Sequence, residues 1–270
     1  MTTSMERGYV ILAGAGPGDE ELITVKLQKK LEEAEVIITD RLVNPRIISR
    51  FANPQAEILF AGKQGYNSGS FVQEEVTALM IQQAQKGRKV LRLKGGDTAI
   101  FSNMLDELEA LVEAGIPYEI IPGVTAASGA SAYTGIPLTA RQHAQGVQFL
   151  TFNPNSQYNP ERWKQLANSK DTLVFYMASK NITGLVELLL RYSRQPSTPL
   201  AVIEQATTVY QQVHTSTLET ATLEFANMEF SSPSLVIIGQ VVSLYTPYHW
   251  FNPSAPGPGS VFTEIENREA

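Results

Sequence analysis

Short apolar runs alternate with segments of helical periodicity in the first half of the chain. Apolar residues recur at helical spacing from Leu22 to Ala34, at 71–84 and at 104–112. The apolar runs predict buried strands at 9–13, 36–39, 58–61, 90–93 and 118–121. Strands that alternate with helices predict a mostly parallel sheet with helices on both faces.

The pattern changes after a polar stretch at 139–146. The later runs are richer in β-branched and aromatic residues, which favours a mixed sheet with some antiparallel pairing. Strands are predicted at 147–152, 172–177, 200–204, 209–214 and 234–238, with a helix at 182–192. We therefore predict an N-terminal α/β domain at 1–140, a C-terminal α/β domain at 141–246 and a loosely ordered proline-rich tail at 247–270.

The amino-acid composition excludes several classes of protein and several kinds of site. The 270 residues have a net charge of -6, which argues against a general nucleic-acid binder. The chain has no cysteine, which excludes thiolate catalysis and disulfides, and its three widely spaced histidines disfavour a metal site. No apolar run reaches the roughly 18 residues of a membrane span, and the polar start at 1–7 predicts no signal peptide. We expect a cytoplasmic protein that binds no metal, nucleic acid or membrane.

Three glycine-bearing loops follow predicted parallel strands, at 14–19, 94–97 and 122–127. Ligands of open α/β sheets bind at this edge, so the three loops together predict a binding cleft. The first loop does not match the dinucleotide fingerprint, because Asp19 stands where its third glycine should be. Asp40 lies about where a ribose-binding acid is expected, so an NAD-dependent oxidoreductase stays a disfavoured alternative. A purely structural turn with Asp19 as helix N-cap is the other interpretation.

Several stretches, in the right order from about residue 8 to 243, resemble the signature motifs of the tetrapyrrole methylases. They are closest to the motifs of members that methylate uroporphyrinogen III. The matching stretches are Val10–Asp19 with Leu22–Thr24, Val36–Val43, Ala61–Lys63, Leu91–Asp97, Ile121–Ala126, Gly135–Thr139, Phe175–Ala178 and Ile238–Val242.

The resemblance implies two α/β domains, a mostly parallel N-terminal sheet and a mixed C-terminal one, with the cofactor in the cleft between the domains and a homodimeric assembly. It implies that S-adenosylmethionine methylates uroporphyrinogen III at C2 and C7 to give precorrin-2, on the branch to sirohaem or cobalamin. Two alternatives stay open: a later precorrin methyltransferase of cobalamin synthesis, and a non-catalytic ligand-binding relative.

The resemblance also assigns roles to single residues. It makes Asp40 a proton acceptor and Lys63 a proton donor, although the residues alone would equally fit a solvated pair at strand ends. The cofactor positions carried over by motif are Pro17, Gly95, Gly96, Asp97, Ile100, Thr125, Ala126, Met177 and Ala206.

A substrate with eight carboxylates requires local positive charge in this acidic chain, and arginine forks suit carboxylates. We assign substrate binding to Arg41 and Arg141. The further cations expected near the cleft are Arg46, Lys63, Arg92 and Lys94. The chain departs from the family at Thr98, a proline in many members, and at Asn103, where they have a substrate-handling arginine. Either another cation such as Arg141 replaces that arginine, or the substrate differs.

Overall fold

The computed structural model describes residues 8–61, 69–156, 158–255 and 259–262. The chain forms two compact units, one made of Met1–Thr125 with Ser260–Ala270 and the other of Ala126–Gly259. Each unit has its own sheet and its own hydrophobic clusters.

The first unit contains a five-stranded sheet in which all pairs are parallel, as the sequence predicts. Its strands are β1 (Tyr9–Gly14), β2 (Val36–Thr39), β3 (Glu57–Phe60), β4 (Lys89–Lys94) and β5 (Tyr118–Ile121). Its helices are α1 (Val25–Glu33), α2 (Pro45–Phe51), α3 (Gly69–Gln85) and α4 (Met104–Glu113). The strand order is β3-β2-β4-β1-β5, which places β4 and β1 in the interior of the sheet.

Helices cover both faces of this sheet. Alternate strand residues point to opposite faces, so each strand contributes to two separate clusters. On β1, Ile11 shares a cluster with Leu27 of α1. Its neighbour Leu12 lies in the other cluster, with Met80 of α3 and Leu111 of α4. The strands are therefore buried on both sides, which explains their continuous apolar runs.

The second unit contains the predicted mixed sheet. Its strands are β6 (Val147–Thr151), β7 (Thr172–Tyr176), β8 (Pro199–Glu204), β9 (Gln212–Thr217) and β10 (Ser234–Ile238). Its helices are α5 (Ala126–Thr134), α6 (Pro160–Asn168), α7 (Ile182–Arg191), α8 (Leu218–Glu224) and α9 (Tyr245–Tyr248). The order is β6-β7-β10-β8-β9, with β6 and β7 parallel and the other neighbours antiparallel. Strand β9 begins three residues later than predicted.

Helix α5 belongs to the second unit, whereas the sequence placed the domain boundary near residue 140. Ala127 and Ala130 are fully buried in a cluster with Val174 of β7 and Ala201 of β8. Small side chains on α5 permit this close packing against the sheet. The polar stretch at 139–146 therefore follows the start of the second unit by more than ten residues.

The segment predicted to be a loose tail is packed against the second unit where the structure describes it up to residue 255. Trp250 donates from Nε1 to the carbonyl of Ala132 at 2.7 Å, and its ring lies 5.4 Å from that of Tyr133. Phe251 meets the same tyrosine edge-on at 4.9 Å. Ala255 donates its amide to the Val209 carbonyl at 3.1 Å. Aromatic side chains thus fix a segment whose prolines suggested disorder.

Among the described residues, no helix combines the length and the apolar character that crossing a membrane requires.

Candidate active site

The glycine loops after β1 and β4 are joined through their backbones. The Ala15 amide donates to the Lys94 carbonyl at 2.8 Å. Gly16 and Gly96 exchange two hydrogen bonds of 3.0 and 2.8 Å. Gly96 has a φ of 70°, a conformation that favours glycine. The two loops therefore form one small antiparallel bridge at the carboxyl edge of the sheet.

The loop after β5 joins the same bridge. A Cβ on Gly14 would lie 2.5 Å from the Gly96 carbonyl oxygen and 2.8 Å from the Gly123 nitrogen, so only glycine permits this approach. Asp97 ties the loops further, because its Oδ2 accepts from the Gly123 amide at 2.9 Å. The three loops meet at one edge, as the sequence predicts.

Asp97 supports its own loop as well. Its Oδ1 accepts from the Ala99 amide at 2.8 Å, while Oδ2 bonds to Gly123. A carboxylate offers about four acceptor positions, so these two bonds leave capacity for a ligand donor. Asp97 therefore holds the loops together, and a cofactor bound here would use the remaining acceptor positions of the same side chain.

The other cofactor positions of the first unit surround these loops. Pro17 is buried in the first loop, while Ile100 and Thr125 are half-buried. Gly95 lies against the loop after β2, since a Cβ there would be 2.8 Å from the Leu42 carbonyl oxygen. This contact places the β4 loop next to the segment that follows Asp40.

Several segments that contain the predicted site residues have a strained backbone. Seven described non-glycine residues have positive φ, a conformation that is uncommon for side chains and that clusters at functional sites. Five of the seven lie in the loops after β4, β7 and β8: Phe101, Asn103, Met177, Gln205 and Thr207. The last two flank Ala206. The strain supports a functional role for these loops.

The cofactor positions of the second unit also lie close together. The Ala127 amide at the start of α5 donates to the Tyr176 hydroxyl at 3.2 Å. Ala126, Tyr176 and Ala206 belong to one hydrophobic cluster. Met177, which directly follows Tyr176, is 65% exposed despite being apolar. The ends of β7 and β8 and the start of α5 therefore present one surface.

Asp40 ends a chain of charged groups that runs into the core. Arg92 donates from Nη2 to Asp40 Oδ1 at 2.7 Å and from Nε to Glu107 Oε1 at 3.0 Å. Lys94 donates from Nζ to Glu107 Oε2 at 2.8 Å. The Asp40 side chain is 30% exposed, whereas those of Arg92, Lys94 and Glu107 are at most 4% exposed. Only the aspartate of this group reaches the surface.

Arg92 and Lys94 were expected among the cations near the cleft, but both are buried and paired with carboxylates. Alternation along β4 puts both side chains on the same face of the sheet, where Glu107 binds them. Glu107 was not among the site residues predicted from the sequence. Its position four residues before the buried Leu111 puts it on the inner face of α4, and that spacing was a visible signal.

The two arginines assigned to the substrate are exposed. Neither Arg41 nor Arg141 forms an ion pair with another described residue. Arg41 follows Asp40 in the first unit, and Arg141 belongs to the second. Asn103 is exposed just before α4, with a φ of 52° and no side-chain capping bond. Arg46 lies 3.6 Å from Glu20, and Lys63 lies outside the described residues.

Within the part of the chain that the structure describes, no group of three or more histidine, aspartate or glutamate side chains is arranged to hold a metal ion.

Comparison with known proteins identifies the class. A family model described as Tetrapyrrole (Corrin/Porphyrin) Methylases matches residues 9–222. The chain belongs to this family, whose members are S-adenosylmethionine-dependent methyltransferases. The family, the two-sheet α/β fold and the cofactor predicted from the sequence are thereby confirmed.

Individual relatives refine the comparison. The chain is 43% identical over 244 residues to a protein named siroheme synthase from Ectopseudomonas mendocina, an alignment that covers 90% of this chain and 52% of that one. The chain thus spans about half the length of the curated relatives it matches.

Solved structures share the fold over nearly their whole length. Uroporphyrin-III C-methyl transferase from Thermus thermophilus, complexed with S-adenyl homocysteine, has a TM-score of 0.74 and 31% identity, covering 92% of this chain and 99% of that one. A cobalt precorrin-4 methyltransferase has a TM-score of 0.78 at 24% identity, covering 90% and 98%, and this likeness shows the fold alone.

Proposed function

We propose that the protein transfers methyl groups from S-adenosylmethionine to C2 and C7 of uroporphyrinogen III, giving precorrin-2. One observation carries the proposal: a partly exposed carboxylate, Asp40, is held by a buried arginine beside the glycine loops of a tetrapyrrole methylase. The similar structure from Thermus thermophilus, named a uroporphyrin-III C-methyl transferase, supports it.

The residues present fit this cofactor. When bound, S-adenosylmethionine supplies a methyl group already activated by its sulfonium charge, so the protein needs neither a metal nor a nucleophile. Asp97 has acceptor capacity for hydroxyl or ammonium donors of the cofactor. The exposed, strained Met177 offers an apolar surface for it. The protein contributes mainly by placing a pyrrole carbon against the methyl group, and such positioning supplies much of a barrier reduction.

Asp40 acts on protons. Methylation of a pyrrole carbon requires proton shifts on the macrocycle, and a positioned carboxylate can accept the proton that leaves. Arg92 fixes one oxygen of Asp40, and no other described residue donates a hydrogen bond to this side chain. The second oxygen is therefore the one that accepts the proton. Lys63 is proposed as the proton donor on the family resemblance.

Arg41 and Arg141 bind substrate carboxylates in this proposal. Both are exposed and form no ion pair with another described residue, so their guanidinium forks can bind a carboxylate in a bidentate manner. They also supply positive charge, which the uncharged Asn103 cannot supply at the position where many family members have an arginine.

The test is steady-state kinetics with uroporphyrinogen III on the Asp40→Asn variant. We expect kcat to fall by about 10²- to 10⁴-fold, the usual contribution of a general base. The affinity for S-adenosylhomocysteine, measured by calorimetry, should not change.

The matched control is Glu57→Gln, which removes a surface carboxylate from its 2.6 Å contact with Arg88 in the same unit. It should keep the wild-type kcat. Wild-type kcat in Asp40→Asn would show that Asp40 does not accept the proton.

A further inference from the structure

We propose that Glu107 is a positioning residue: it anchors Arg92 and thereby orients the Asp40 carboxylate for proton transfer. The inference rests on the role proposed above for Asp40. Glu107 is fully buried on α4 and touches neither the surface nor Asp40 directly. Its effect must therefore pass through the arginine.

The guanidinium of Arg92 is the rigid connection between the two carboxylates. Its Nε bonds to Glu107 at 3.0 Å and its Nη2 to Asp40 at 2.7 Å, so two edges of one planar group are fixed at once. Nη1 lies 3.4 Å from the carbonyls of Ile38 and Leu93. Because the group is planar, holding Nε sets the direction in which Nη2 points.

Lys94 fixes the glutamate in turn. It occupies Oε2 at 2.8 Å while Arg92 occupies Oε1, so both oxygens of Glu107 are engaged. Two acids and two bases make the group neutral overall. The three buried charges are thus compensated by one another and by Asp40, and each member depends on the others for its geometry.

Stability alone does not account for this arrangement. Replacing a buried ion-pair network by apolar residues of similar volume is often neutral or stabilising. The three buried members lie between β4 and α4, where apolar residues pack well nearby. The fourth member is Asp40, which reaches solvent at the end of β2. The network therefore fixes the orientation of the Asp40 carboxylate relative to the buried residues.

A double-mutant cycle tests the inference. Glu107→Gln, Asp40→Asn and the combined variant are compared in kcat with uroporphyrinogen III and in calorimetric affinity for S-adenosylhomocysteine. We expect Glu107→Gln alone to lower kcat by about 100-fold, the usual cost of a misplaced catalytic group, with unchanged affinity. In the Asp40→Asn background it should cause no further loss, because it acts through Asp40.

The outcomes separate this inference from the proposed function. An equal loss of kcat from Glu107→Gln in both backgrounds would mean that Glu107 acts independently of Asp40, and the inference would be overturned. Wild-type kcat in Asp40→Asn would instead overturn the role of Asp40 itself.

A charge-balanced variant covers the case in which Glu107→Gln does not fold. Combining Glu107→Leu with Lys94→Met removes one negative and one positive charge together with the acceptor for Arg92 Nε, and keeps the pair of Arg92 with Asp40. We expect this variant to fold, as judged by circular dichroism and melting temperature, and to show a similarly lowered kcat. A folded charge-balanced variant with wild-type kcat would also overturn the inference.

Discussion

Arg41 and Arg92 both lie near the end of a strand in the sequence, yet the fold gives them opposite environments. Arg92 is buried and bonded to two carboxylates, whereas Arg41 is exposed. The difference follows from strand alternation, which turns Arg92 and Lys94 toward α4. A list of cations near a predicted cleft therefore mixes structural charges with charges available to a substrate.

Met177 is the cofactor position that is easiest to test in isolation. Truncating its side chain by Met177→Ala should weaken S-adenosylhomocysteine binding roughly tenfold, because losing about two methylene-sized contacts costs about 1.5 kcal/mol. Since the side chain is 65% exposed, the melting temperature should not change.

Leu223→Ala is the matched control for Met177→Ala. Leu223 is an 84% exposed apolar residue of the same unit on α8, away from the assigned positions. Its replacement should leave cofactor affinity unchanged. Equal affinities of the two variants in calorimetry would remove Met177 from the cofactor site.

Glu204 makes stability depend on pH in the second unit. Burial raises the pKa of its carboxyl, but hydrogen bonds from His214, at 2.6 Å, and from the Ser231 amide outweigh burial and hold this pKa below its usual range. A group with a lowered folded pKa stabilises the protein fully above its unfolded pKa, about 4.3 for glutamate. That stabilisation is lost as the pH falls through the lower folded value.

Glu204→Gln should therefore flatten the fall in stability on acidification. The measurement is urea unfolding at several pH values from about 6 down to 3, across the titration range of glutamate. The variant should also be less stable than the wild type near neutral pH. Parallel stability curves for the two proteins would contradict the assignment.

At the level of secondary structure, the ten strands of the described residues could be predicted. The inner strands appear as continuous apolar runs because they are buried, whereas the edge strand β9 is half-buried and was predicted three residues too early. Short helices of fewer than ten residues were missed: α8 and α9, and likewise α2 and α6. Helices α2 and α6 both begin with an asparagine N-cap followed by proline, at Asn44 and Asn159, and this pair is a known start signal. Helix α5 follows the third glycine loop, and the boundary predicted near residue 140 placed this stretch in the first domain, because its small residues do not show which sheet they cover.

The two asparagine caps should contribute different amounts to the free energy of unfolding. Asn159 is exposed and caps through one oxygen, so Asn159→Ala should cost about 1 kcal/mol. Asn44 is buried, and its amide also donates to the Gly18 carbonyl at 2.7 Å. Asn44→Ala should cost about 2 to 3 kcal/mol, because it also leaves that carbonyl without a donor. Urea denaturation measures both, and equal losses would argue against this account of Asn44.

For the molecule as a whole, the sequence predicted two α/β units and the edge at which the glycine loops meet. That edge was predictable because the carboxyl ends of parallel strands lie together. The charge network from Glu107 to Asp40 was not, because strand alternation and helix spacing give the faces of β4 and α4 but not which side chains meet between them. The homodimer implied by the family resemblance stays a prediction.

Methyl transfer to uroporphyrinogen III is the reaction by which the proposed function stands or falls. The protein is incubated without oxygen with uroporphyrinogen III and S-adenosylmethionine labelled in its methyl group, and the tetrapyrrole product is analysed by absorbance and mass spectrometry. We predict a precorrin-2 chromophore carrying two labelled methyl groups, with the label lost from the cofactor in the same ratio. A folded protein that binds S-adenosylhomocysteine but leaves uroporphyrinogen III unlabelled, while methylating a later precorrin or nothing at all, would contradict the account.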